Sequence, residues 1–242
     1  MKRLNLSGCK FITKLPALCT PNLETLDLSC CKNLVKIHES GAFLHKLKTW
    51  KLNYCEKLKN LPNNVMLTSL EVLEELNLYG CKNLRDLPDG IYKLQQLQYL
   101  ITPTAKLRPT CNSFDSSSGY GFLKMTYLQL LGYRSIIELD LLMKPDYFPA
   151  LERIILSETN IITIPESISR FPRLKTLFIE NCKHLREVQG LPQSIRLVYA
   201  EDCPLLDYES PSGLLNQVSL FLFSYKETLS LNALQDLLDE KC

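Results

Sequence analysis

The chain has 242 residues, 45 % of them hydrophobic, with 28 Lys and Arg against 26 Asp and Glu. Charges this balanced exclude a global field drawing it to nucleic acid or an anionic membrane, so the expected partner is a protein. No apolar stretch approaches the roughly 20 residues of a membrane helix, and Met1-Lys2-Arg3-Leu4-Asn5 lacks the apolar run of a signal peptide. A cytoplasmic place is expected, with the nucleus as a second compartment, and there the ten cysteines are expected as free thiols.

In chain order, the first element is a short strand at Met1-x-x-Leu4-x-Leu6-x-x-Cys9. The spacing returns at Leu23-x-x-Leu26-x-Leu28-x-x-Cys31, Leu47-x-x-Trp50-x-Leu52-x-x-Cys55 and Leu73-x-x-Leu76-x-Leu78-x-x-Cys81. Weaker copies start at Leu97, Met125 and Leu151; Leu174-x-x-Leu177-x-Ile179-x-x-Cys182 is strong again, and a last unit starts at Ile195. Nine units whose starts lie 21 to 28 residues apart fit leucine-rich repeats. Strand alternation turns the leucines inward and the residues between them outward. Each inward leucine gains about 1.5–3 kcal/mol on burial, which one unit cannot achieve alone and stacking can. Trp50 takes an inward leucine position and is expected in the core.

After the corner cysteine an apolar residue follows at the third position, as at Leu34, Leu58, Leu84 and Leu185. Leu-Pro then closes several units: Leu15-Pro16, Leu61-Pro62, Leu87-Pro88. Proline forbids a continuing helix, so the return side should be extended or make short 3₁₀ turns, with single turns at Asp89–Leu94 and Glu166–Phe171. The expected fold is α/β: a right-handed leucine-rich-repeat solenoid, or horseshoe, with a parallel concave sheet and few helices. It should cover residues 1–207, with a polar, turn-rich insertion at about 102–121. Residues 208–242 form a separate post-repeat segment, partly helical because Leu231, Leu234, Leu237 and Leu238 make one stripe. Met1 already occupies the first apolar position with no capping element before it, so the chain is expected to be part of a longer protein.

Cys9, Cys31, Cys55, Cys81, Cys182 and Cys203 share the ninth position, where the chain leaves the strand and backbone groups lose ladder partners. A small side chain with a weak S–H donor suits that corner. The sharper alternative, a zinc site, fails on geometry: stacked strands set the sulfurs in a row about 4.8 Å apart, and a row cannot converge tetrahedrally on one ion. Cys182 with His184 could suggest a nucleophile, but repeat position already explains Cys182. No catalytic residue, metal or cofactor is assigned.

The central outward column reads Asn5, Asp27, Lys51, Asn77, Ile101, Gln129, Ile155, Phe178 and Tyr199, turning apolar toward the C-terminal half. Two residues earlier, the column runs from Arg3, Thr25, Thr49 and Glu75 to Tyr99, Tyr127, Arg153 and Thr176. Aromatics beside arginine have the composition of binding hot spots. Tyr99, Tyr127, Arg153, Ile155, Phe178, Tyr199, Glu201 and Asp202 are therefore the candidate protein contacts. A second reading stands beside this one: the loop after Leu97 or the tail folds back over them. The column Lys2, Glu24, Lys48, Glu74 alternates in sign and should fix register.

Leu73-Glu74-Glu75-Leu76-Asn77-Leu78-Tyr79-Gly80-Cys81-Lys82-Asn83-Leu84-Arg85-Asp86-Leu87-Pro88 resembles the repeats of plant intracellular immune receptors of the TIR-NBS-LRR class. So does the shorter Ser157-Glu158-Thr159-Asn160-Ile161-Ile162-Thr163-Ile164-Pro165. Gly190-Leu191-Pro192-Gln193-Ser194-Ile195-Arg196, followed by Ala200-Glu201-Asp202-Cys203, is similar to that class's final repeat. The resemblance covers residues 1 to about 215 and implies recognition of a pathogen effector or restraint of the receptor's nucleotide-binding switch. The phosphate loop G-x-x-x-x-G-K-[ST] does not occur in the chain, so nucleotide chemistry belongs to other parts of such receptors. The alternative is an F-box-type repeat adaptor of a ubiquitin ligase, echoed by Cys9-Lys10-Phe11-Ile12-Thr13 but not by the Leu15-Pro16 that follows.

Overall fold

The computed structural model describes residues 1–38, 44–84, 87–103, 121–132, 145–164, 166–188, 190–206 and 220–224. Its strands, in chain order, are β1 (Arg3–Asn5), β2 (Lys14–Leu15), β3 (Thr25–Asp27), β4 (Lys36–Ile37), β5 (Thr49–Lys51) and β6 (Glu75–Asn77). Five-residue strands follow: β7 (Tyr99–Pro103), β8 (Tyr127–Leu131), β9 (Arg153–Ser157), β10 (Thr176–Glu180), β11 (Leu197–Glu201) and β12 (Leu220–Ser224). All but β2 and β4 join one ten-stranded parallel sheet in chain order, and β2 pairs with β4 on the return side.

Pairing follows the repeat register: Leu4 lies opposite Leu26, Leu26 opposite Trp50, Trp50 opposite Leu76, and so on to Leu177 opposite Val198. The inward residues from Leu26 to Val198 are fully buried in one continuous core running from Leu15 to Leu206. Strand β12 extends the sheet into the segment expected to follow the repeats, with Leu197 opposite Leu220. Thr102 and Pro103, placed by sequence in the insertion, belong to β7 and are buried. Residues 104–120 of that insertion and the leucine stripe at 231–238 lie outside the described residues.

The return side carries 3₁₀ turns at Asp89–Lys93 and Glu166–Arg170, the two segments expected to make them. A short α-helix, Asn64–Thr68, interrupts the extended return side of its unit; the Asn63 side chain caps it, accepting from the Met66 N–H at 3.0 Å. Leading into the strands, Tyr92, Phe122, Phe148 and Phe171 form a ring column with centroids 5.5, 5.4 and 6.5 Å apart. The three phenylalanines fill the turn layer where earlier units use Leu44, Leu70 and Leu94.

Three corners are built alike. The Cys31, Cys55 and Cys81 thiols donate to the carbonyls of Leu6, Leu28 and Leu52 in the preceding unit, each at 3.1 Å. Cys182 and Cys203 reach Leu156 and Ile179 only at 3.6 and 3.8 Å and lie nearer the Glu180 and Glu201 carbonyls of their own strands, at 3.5 and 3.3 Å. In the seventh unit Thr159 stands in the cysteine's place, its hydroxyl 2.9 Å from the Cys182 sulfur. Burial pushes the Cys81 thiol up to about 12 and raises Cys55 further. Hydrogen bonding to Cys182, then burial, holds Cys203 up. Thiolate chemistry is thereby suppressed at these three positions.

At five corners the residue before the corner side chain sends its N–H to the next unit, as Gly8 does to Ser29, Cys30 to Asn53 and Glu158, ahead of Thr159, to Glu180, at 2.7, 2.7 and 2.8 Å. This aim requires a left-handed backbone: φ is +73° at Gly8 but also +58° at Cys30 and +54° at Glu158. An L-residue pays about 1–2 kcal/mol there, against about 0.5–1 kcal/mol of chain entropy for glycine. Glu158 is exposed, so Glu158→Gly should stabilise by about 0.5 kcal/mol. A lowered midpoint in urea unfolding would refute this.

Candidate functional site

The outward face is the surface these stacked strands leave over. In its N-terminal half it is polar, with Asp27, Lys51 and Asn77 half-buried along one column and Lys51 3.9 Å from Glu75. Asp27 and Asn77 use their side-chain oxygens at the strand ends, accepting from the Ser29 and Tyr79 N–H groups at 2.9 and 3.0 Å. Lys2 and Glu24, and Lys48 and Glu74, form the cross-strand ion pairs expected from their alternation, at 2.9 and 3.5 Å.

From β7 onward the face becomes aromatic. Tyr99 and Tyr127, opposite each other in register, stack with centroids 3.8 Å apart and planes inclined by 9°. The Arg153 guanidinium lies 6.0 Å from the Tyr127 ring centre, at the outer limit of a cation–π contact. The Tyr127 hydroxyl donates to Gln129 Oε1 at 3.2 Å. Burial, then the neighbouring Tyr99 hydroxyl, pushes the Tyr127 phenol well above its ordinary value. Tyr99 keeps 36 % of its surface exposed, and Tyr127 and Arg153 are half-buried.

Ile155, Phe178 and Tyr199 stand differently. They point to the same face yet are 0 %, 2 % and 2 % exposed, clustered with Leu197 and flanked by Tyr127. Ile101 is likewise buried. Of the eight candidate contacts, five therefore retain solvent access: Tyr99, Tyr127, Arg153, Glu201 and Asp202, the last exposed on a left-handed corner.

Carboxylates line the far edge of this cluster. Ser157 Oγ donates to Glu180 Oε2 at 2.9 Å, and the Tyr199 hydroxyl to Glu201 Oε2 at 3.1 Å. Glu180 and Glu201 face each other in register. Burial raises the Glu180 carboxyl above its ordinary 4.5, the Ser157 bond opposes that, and Glu201 adds to it. A raised folded value means the site favours the protonated form, so stability is lost as pH climbs through that value. Glu180→Gln should match the parent at pH 4 and melt higher at pH 8, with the gap opening above about pH 4.5. Equal melting temperatures at both pH values would contradict the assignment.

The Cys182 sulfur is fully buried and engaged by Leu156 and Thr159, whereas His184 is exposed on a shallow concavity of about 250 Å³ with Asn160, Ile162, Arg186 and Leu205. Among the described residues no group of three or more His, Cys, Asp or Glu is placed to hold a metal ion, and no helix is long and apolar enough to cross a membrane.

Residues 19–224 match the family model "Disease resistance protein RPS4B-like, leucine-rich repeats". Disease resistance protein RML1A of Arabidopsis thaliana is 32 % identical over 223 residues, which is 89 % of this chain and 21 % of that protein. TMV resistance protein N of Nicotiana glutinosa is 27 % identical over 230 residues, 92 % of this chain and 17 % of its own length. The chain thus spans about a fifth of these relatives. Among solved structures, the functional domain of InlJ from Listeria monocytogenes, which includes a cysteine ladder, superposes with a TM-score of 0.54 at 15 % identity. It covers 94 % of this chain and 46 % of that one. TLR13 from its complex with ssRNA13 gives 0.54 at 22 % identity, covering 87 % and 30 %. Both show the fold alone. These matches favour the immune-receptor class and lend the F-box adaptor no support. With its register, cysteine corners and family match in agreement, the chain belongs to the leucine-rich repeats of RPS4B-like disease resistance proteins.

Proposed function

We propose that this chain is the non-catalytic recognition domain of a plant innate-immune receptor, acting in the cytoplasm. Its outward sheet face binds a pathogen effector or restrains the receptor's own nucleotide-binding switch. The supporting observation is the stacked Tyr99–Tyr127 pair beside Arg153, a solvent-accessible aromatic anchor where the polar half of the face meets the buried apolar cluster of Ile155, Phe178 and Tyr199. Rings already stacked on one another lose little conformational freedom on binding, which suits a hot spot. The test is a pull-down of the chain against a co-expressed nucleotide-binding domain from a related receptor, with candidate effectors in parallel. Tyr99→Ala with Tyr127→Ala should cut recovery about tenfold, the effect of losing one hot spot, while the far-UV spectrum stays unchanged. Phe178→Ala should instead lower stability, because that ring is buried. Undiminished capture by the double tyrosine variant would sink the proposal.

A further inference from the structure

Cations along the edge where the chain enters the outward face obey a pairing rule. Lys2, Lys48 and Lys175 each meet a glutamate of an adjacent unit, Glu24, Glu74 and Glu152, at 2.9, 3.5 and 3.0 Å. Just before the strands, Lys46 donates to Asn22 and Lys124 to Gln96, at 2.8 and 2.7 Å. Two arginines break this rule. Arg173 holds the position of Lys46 and Lys124, but the unit behind it offers Ala150, which has no acceptor side chain. Arg196 follows Lys175 in the column, and Lys175 is already bound to Glu152. Both guanidiniums are exposed, and neither forms a hydrogen bond or ion pair among the described residues. They flank a concavity of about 580 Å³ whose wall includes Pro172, Gln193, Ser194 and Ile195 together with the Lys175–Glu152 ion pair, in which Lys175 neutralises the one carboxylate of the lining.

We propose that this lip is a docking site for an acidic, extended peptide segment of a protein partner, with Arg173 and Arg196 each taking one carboxylate. The proposal rests on the protein-recognition reading and adds the chemistry of one contact. Arg173 and Arg196 sit just before β10 and β11, one unit and two residues of register apart, which at strand-like spacing sets their backbones on the order of 8 Å apart. Alternate side chains of an extended peptide stand about 6.8 Å apart, a difference that long arginine side chains absorb. A guanidinium fork matches a carboxylate in two parallel hydrogen bonds. A peptide fits better than a nucleic acid, whose affinity grows with the number of phosphates neutralised, because only two cations of this lip lack partners among the described residues and the whole chain carries a formal charge of +2.

The experiment is fluorescence anisotropy of the full chain with a labelled peptide of alternating glutamate and serine. Saturable binding is expected, weakened about tenfold or more by Arg173→Glu with Arg196→Glu, the scale of losing two charge-assisted contacts. Lys10→Glu with Lys59→Glu, an equal charge change at exposed sites elsewhere, should leave binding intact. Melting curves should show both double variants folded. Absence of binding, equal loss in both double variants, or no loss in the arginine variant would each overturn the proposal. So would displacement of the peptide by a single-stranded oligonucleotide at lower concentration, which would reassign the lip to nucleic acid. A failed titration would remove the lip alone, because capture through Tyr99 and Tyr127 is read in its own pull-down.

Discussion

Trp50→Ala is expected to lower stability by about 3–5 kcal/mol, a fall in melting temperature on the order of 10 °C. Trp50 is fully buried and lies in register between Leu26 and Leu76, so its indole spans space that leucine fills elsewhere in the column. Its Nε1–H is buried without a partner among the described residues, which itself costs stability. Trp50→Leu should therefore lose less than half as much, since it removes that donor and restores the leucine column. Stacked units contact only their neighbours, so the damage should be local. Hydrogen exchange should quicken first in β3, β5 and β6 and leave β10 and β11 protected. Uniform acceleration along the chain, or a Trp50→Ala melting point within about 2 °C of the parent, would contradict the packing described.

Gly132→Ala is the second large effect. Gly132 follows β8, and its N–H donates to the Ser157 carbonyl at 2.9 Å, which draws the corners of two units together. A Cβ there would stand 2.6 Å from Thr159 Cα, 2.9 Å from its Cγ2 and 3.0 Å from the Glu158 carbonyl oxygen. Two of those atoms are backbone and cannot rotate away. Overpacking usually costs about 1–3 kcal/mol, and a backbone clash belongs at the upper end. The displaced strand would also disturb Thr159, which is bonded to Cys182 in the corner column. Chemical denaturation checks the magnitude. Adding Thr159→Ser removes only the Cγ2 contact and should not rescue the variant. Full rescue would show that the clash is confined to side chains.

Much of the architecture was legible because burial in a solenoid is periodic. Leucines at the first, fourth and sixth positions of a unit can leave water only by stacking in register, so aligning them by sequence is aligning them in space. The pairs Leu26–Trp50 and Leu177–Val198 follow directly. The corner cysteines were legible for the same reason: the position recurs, and the backbone carbonyl it serves recurs with it. The 3₁₀ turns could be placed because a proline or a short polar stretch allows little else. The capped helix at Asn64–Thr68 left a local signal, Asn63 ahead of Val65, Met66 and Leu67, but too short a one to show periodicity.

The candidate site was only half legible. Alternation fixes the face to which Ile155, Phe178 and Tyr199 point, and the register bears this out. It does not say whether that face meets water, since exposure depends on everything packed against a side chain and not on its own strand. Their burial, and the exposure left to Tyr99 and Asp202, came from tertiary structure. The same holds for Arg173 and Arg196. Their sequence neighbours are unremarkable, and their lack of partners among the described residues appears only when units 21 to 23 residues apart are stacked and each cation is compared with the one above it. The sequence by itself thus determined register, corner chemistry and family. The folded chain decided which outward groups are buried, which are paired and which remain available to a partner, because those properties belong to contacts between units.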